Sequence, residues 1–175
     1  MTRPRSDAAR NRALVLRVAR DQWAAGDESL QFNAIAKLAG VGVGTVYRHF
    51  PTRHALLEAL AAERLHDLVA EARAAASAED AVAGVRDLMR YIVGRALADP
   101  GFAAVLEAPD DADPETSVLK AELGAAVAAL LARARIRSDV AADDMVHLVC
   151  GIAHAIGAAP GRSDLYLDVL IKGLA

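Results

Sequence analysis

Apolar residues recur every three or four positions along nearly the whole chain, with no run of strict alternation. The pattern predicts an all-α protein of about nine helices. Ser6 can cap a first helix, with Asp7 placed well for the helix dipole. Its inner face is Leu14, Val15, Val18, Ala19 and Trp23, and it ends near Ala25 before Gly26. Two short helices follow. One spans Phe32–Ala39 with Phe32, Ile35, Ala36 and Ala39 on one side, and the other spans Val43–His49 with Val46 and Phe50 facing inward. Thr52 caps a long helix to about Ala75, uninterrupted by Gly or Pro and therefore stiff. Ser77 with Asp80 forms an imperfect capping box for a helix to about Ala98. Asp99-Pro100 opens a short helix through Phe102, Val105 and Leu106, and Asp113-Pro114 opens one reaching about Arg135. Ser138 or Asp139 starts the next, to about Gly157, and Ser163 starts the last, to about Leu174.

The two short helices carry the most specific pattern. Small Ala36 lets the second cross closely over the first, Gly40 makes the turn, and Val46 fixes the crossing. That spacing belongs to a DNA-binding helix-turn-helix, although an ordinary αα-hairpin shares its barest form. The second helix offers Thr45, Tyr47, Arg48 and His49 to phosphate or base edges.

The longer string from Ile35 to Leu57 resembles the signature of the tetracycline-repressor (TetR) family of bacterial regulators. The matching residues are Ile35-Ala36, Ala39-Gly40-Val41, Gly44-Thr45, Tyr47-Arg48-His49-Phe50, Arg53 and Leu56-Leu57. The resemblance is strong over the first third of the chain and only general beyond it. It implies a three-helix DNA-binding head at residues 1–51 and a helical effector-binding and dimerisation body at 52–175. Two positions depart from the family pattern. Gly42 stands where a capping Ser is frequent, and Val43 where a polar residue is frequent. A recognition helix that opens Gly42-Val43-Gly44 has few hydrogen-bonding groups, so Val43 against thymine methyls and Asn33 on the preceding helix are expected to share the reading of sequence.

Charge distribution adds to this. Residues 1–60 hold nine Lys/Arg against five Asp/Glu, a balance of +4, while residues 61–175 hold eleven against eighteen, a balance of −7. A basic head on an acidic body suits a nucleic-acid binder, with Arg3 and Arg5 on a mobile N-terminal arm and Arg10, Arg12 and Arg53 near phosphate. The single cysteine, Cys150, excludes an intrachain disulfide and fits a reducing cytoplasm, and no apolar run is long enough to span a membrane.

The last two helices are too apolar for solvent, which points to a homodimer through them, as the resemblance also implies. The body is expected to hold a largely apolar effector among Met89, Tyr91, Ile92, Phe102, Leu106, Val118 and His147, with the long helix as lever between pocket and head. His147, Cys150 and His154 have metal-ligand spacing on one helix, but no further converging ligand is evident, so a polar lining is the expected role and no metal or cofactor is foreseen. The glycine-rich GVGVG has no preceding strand and no following Lys-Ser/Thr, so it is not a phosphate loop, and no catalytic constellation is visible. The reading is a ligand-responsive repressor of operator DNA. Its alternatives are an effector-free dimeric regulator and, less favoured, a helical carrier or enzyme.

Overall fold

The computed structural model describes the backbone of residues 4–174 and the side chains of residues 7–174. Among these it has nine α-helices and no strand: α1 (Pro4–Ala24), α2 (Phe32–Ala39), α3 (Val43–His49), α4 (Arg53–Ser77), α5 (Ala81–Ala98), α6 (Pro100–Glu107), α7 (Pro114–Ala134), α8 (Ala142–Ala158) and α9 (Ser163–Gly173). Among the described residues no helix is long and apolar enough to cross a membrane. The chain divides into two compact units, Met1–Ala61 and Ala62–Ala175. The division falls inside α4, whereas the family resemblance implies a head ending at residue 51. The start of α4 is tied to the first unit, since the Arg53 guanidinium donates to the Glu28 carbonyl at 2.6 Å.

In the first unit α1, α2 and α3 pack on one another. Val15, Ala19, Ile35, Val46 and Phe50 are buried, and Leu30 joins them from a left-handed backbone at φ 46°. That conformation is costly for a residue with a Cβ, and its burial holds it in place. The first helix begins at Pro4, so Arg5 lies within α1 and not on an arm. Proline at an early helical position has no amide to leave unsatisfied, which extends the helix past the expected Ser6 cap. Arg3 and the expected arm at residues 1–3 lie outside the described residues.

In the second unit α5 is central, packing on α6, α7, α8 and α9. Its inner face buries Val85, Leu88, Met89, Ile92 and Val93. Asp80, not Ser77, caps it, its carboxylate accepting from the Ala83 amide at 3.0 Å, while Ser77 ends α4. Asp99 accepts from the amides of Gly101 and Phe102, both at 3.1 Å, and pairs with Arg64 at 2.9 Å. Arg133 donates to the Ala76 carbonyl and, at 2.7 Å, to that of Ala78, which anchors the last turn of α4 within this unit. α8 starts later than expected. Asp139 is engaged by Arg137 at 2.6 Å, and Asp144 instead accepts from the Ala141 amide at 2.8 Å.

Candidate nucleic-acid interface and effector cavity

The head presents one face of α3. α2 ends at Gly40, whose φ of 67° is left-handed, and the Val41 amide closes on the Ala36 carbonyl at 3.0 Å. A Cβ at that φ is strained, so glycine is the residue that turns the chain here. α3 then starts from Gly42, which offers no side-chain cap, and points Val46 fully inward. With Val46 and Phe50 buried, helical geometry turns Val43, Gly44, Tyr47 and Arg48 outward. Tyr47 is 54% exposed and Val43 37%, while Thr45 and His49 flank this face half-buried.

Tyr47 is not loose. Its ring meets Phe32 edge-on, with centroids 4.9 Å apart at 64°. Such a pair fixes the rotamer and leaves the hydroxyl outside. Arg12 is exposed with its guanidinium 5.2 Å from the Phe50 ring centroid, and Arg10, two residues earlier on α1, is exposed as well. Arg53 is exposed but braces the Glu28 carbonyl. Asn33 is exposed near the start of α2. Lys37, one turn beyond Asn33 on the same face, is exposed too. Sequence reasoning passed over Lys37; its signal was the i, i+4 spacing from Asn33.

The body holds a cavity of about 350 Å³, lined by α5, the C-terminal end of α6, α7 and α8. Its wall is chiefly aliphatic, with Leu88, Leu123, Val127, Leu130 and Val149 prominent. Met89, Ile92, Leu106 and His147 of the expected set lie on it. The other three do not. Phe102 is a buried core residue at 1% exposure, and Val118 is 57% exposed on the outer face of α7. Tyr91 is turned to Arg95, whose guanidinium donates to its hydroxyl at 3.3 Å. That bond, with the nearby ring, holds the Arg95 guanidinium pKa above its usual value. All three are apolar or aromatic residues on helices that reach the cavity, but a half-turn of phase moves a side chain off the wall. No α4 residue lines the cavity, which corrects the expectation that the lever's far end abuts it. α4 is met through α5 instead, where Gly84 packs against the Ala75 carbonyl.

Glu107, Ala108, Pro109, Lys120 and Asp143 also line the cavity, and sequence reasoning named none of them. His147 Nδ1 lies 2.9 Å from the Asp143 carbonyl. A carbonyl only accepts, so Nδ1 carries the proton of the neutral ring and Nε2 is left as an acceptor. His147 and His154 are exposed on α8 while Cys150 between them is buried. Burial, and then the neighbouring Glu107 carboxylate, push the Cys150 thiol up to about 12.

On α8 and α9 a second apolar surface faces outward. Leu148 is 39% exposed, Leu165 44% and Val169 62%, with half-buried Ile152, Tyr166 and Leu170 among them.

Two family models match this chain. One, described as bacterial regulatory proteins of the tetR family, covers residues 15–60. The other, the C-terminal domain of SbtR-like transcriptional regulators, covers residues 83–175. An HTH-type transcriptional regulator of Staphylococcus aureus is 35% identical over 69 residues, which is 38% of this chain and 36% of that relative. The chain thus aligns with only about a third of that curated relative's length. A TetR transcriptional regulator from Streptomyces coelicolor is 28% identical with a TM-score of 0.55, covering 93% of this chain and 97% of that one. A Thermus thermophilus TetR-family repressor, FadR, solved in complex with lauroyl-CoA, shares the fold at TM-score 0.66 and 23% identity, covering 93% of this chain and 92% of that one.

Proposed function

The chain belongs to the tetR family of bacterial transcriptional regulators, and we propose that it acts as a homodimeric repressor, released from its operator when a small molecule fills the body cavity. The observation that carries the DNA-binding half is the α3 face: Val43, Gly44, Tyr47 and Arg48 turned outward on a hairpin locked from behind by Val46. In this reading Tyr47 and Arg48 contact phosphate or base edges, with Thr45 and His49 at the flanks. Gly42, Val43 and Gly44 allow close approach to thymine methyls, and Asn33 contacts the DNA from α2. Arg10 and Arg12 add sequence-independent attraction, as do Arg3 and Arg5. Arg53 contributes charge while bracing the Glu28 loop.

The outward apolar surface of α8 and α9 supports the dimer. Three large side chains stand exposed on two adjacent helices, and a second copy would cover them. Two-fold symmetry would then set two α3 helices into successive major grooves of a palindrome. The largely aliphatic cavity supports effector response, and a coupling of about 1–3 kcal/mol between cavity and DNA is enough for a useful switch. Its natural route runs from Val85 and Leu88 on the cavity wall, through Gly84, to Ala75 near the end of α4.

The test is a gel shift of the wild-type chain and Tyr47→Ala on DNA flanking its own gene. Tyr47→Ala should weaken binding about tenfold or more, the size of one lost specific contact. Equal affinity of both proteins would remove α3 from the interface.

A further inference from the structure

The cavity's polar groups discriminate among effector classes, an inference that rests on the effector-responsive reading above. The wall carries two carboxylates, Glu107 at the C-terminal end of α6 and Asp143 in the first turn of α8. It carries one ammonium, Lys120, and that charge is spent: Nζ lies 2.6 Å from the Asp111 carboxylate and donates to the Ala108 carbonyl at 3.0 Å. His147 presents Nε2, an acceptor while the ring is neutral. The end of α6 at Glu107 adds the negative pole of a helix. The start of α8 brings a positive pole to the same cavity, but Asp143 and Asp144 both sit in its first turn and offset it.

We propose that the effector is a protonated amine on an aliphatic body, its ammonium seated at Glu107 beside His147 and its body filling the aliphatic part of the cavity. An anionic effector would meet two carboxylates and a lysine already paired. A quaternary ammonium would lack N–H groups for Glu107 and His147, and among the described residues of the wall no Phe, Tyr or Trp ring offers it a cation–π face. A neutral alcohol would gain only the apolar contacts and one neutral hydrogen bond.

The experiment is calorimetric titration of the full chain with four probes of one chain length: octylamine, octanol, octanoate and octyltrimethylammonium. Octylamine should bind about tenfold more tightly than octanol, with the other two weaker still. Glu107→Gln keeps an acceptor for the Cys150 thiol and removes the charge. It should abolish the amine's advantage and leave octanol unchanged. Octanoate or octyltrimethylammonium binding most tightly would overturn the proposal, as would an unaltered amine affinity in Glu107→Gln or no binding by octylamine. Operator affinity measured in the same samples separates the two claims. If octanol or octanoate releases DNA while octylamine does not bind, the regulator reading stands and the amine inference falls. If octylamine binds through Glu107 and operator affinity never changes, the amine site stands and the effector reading falls.

Discussion

Two glycines of α5 make a matched pair of perturbations. A Cβ added at Gly84 would lie 2.9 Å from the Ala75 carbonyl oxygen and 3.3 Å from Leu130 Cδ1. The first neighbour is backbone near the end of α4, where Arg133 also holds the Ala76 and Ala78 carbonyls, so it cannot yield without shifting the helix. At Gly94, ten residues along the same helix, a Cβ would meet nothing within 4 Å. Replacing a glycine inside a helix by alanine gains up to about 0.8–1 kcal/mol of helix propensity, at Gly84 in the first turn of α5 and at Gly94 in its interior. Overpacking a close contact costs about 1–3 kcal/mol, and only Gly84 incurs it. Gly94→Ala should therefore stabilise the protein by up to about 1 kcal/mol. Gly84→Ala should come out destabilised by roughly 1 kcal/mol, placing the two variants about 1–3 kcal/mol apart. Urea unfolding followed by far-UV circular dichroism, at one protein concentration, reads the difference. Equal stabilisation by both substitutions would refute the α4–α5 close approach, and with it the route from the cavity to α4.

Val169 is the most exposed apolar side chain of the last two helices, so Val169→Asp should leave the protomer folded and yield a monomer by light scattering. A dimer that persists would move the interface elsewhere. Cys150 should resist a thiol reagent at pH 8 and react at once in urea, because burial disfavours its thiolate. Its contribution to stability is complete below its unfolded value near 9 and is lost as pH rises toward about 12, so a variant with Ser at this position should show a shallower alkaline decline. Fast labelling of the native protein would count against the buried placement.

Residues whose roles rest on local chemistry were legible in the sequence. Gly40 had to turn the chain, Ala36 and Val46 had to face inward, and the Asp-Pro pairs at Asp99 and Asp113 had to start helices; the structure turns at Gly40, buries Ala36 and Val46, and caps α6 and α7 with Asp99 and Asp113. What the sequence hid depends on helix phase and on partners distant in the chain. The heptad-like spread of apolar residues on α5–α7 marked a buried face, but a solid core and a cavity wall share that pattern. Phe102 therefore read as lining although it is core, and Leu123 and Val127 went unremarked although they line the cavity. Glu107 and Asp143 looked like ordinary helix-end carboxylates until α6 and α8 brought them to one cavity. The starts of α5 and α8 slipped by a few residues because several Ser and Asp competed as caps, and only tertiary pairing, as of Arg137 with Asp139, decides among them.

In the proposed function the α3 face reads operator DNA. Fluorescence anisotropy with a palindrome from the DNA flanking the gene, against a scrambled duplex of equal length, tests it most directly across a range of salt concentrations. The palindrome should bind at least a thousandfold more tightly than the scrambled duplex. Affinity for both should fall steeply with salt as phosphate contacts are lost. Equal affinity for the two duplexes, or affinity indifferent to salt, would contradict the claim.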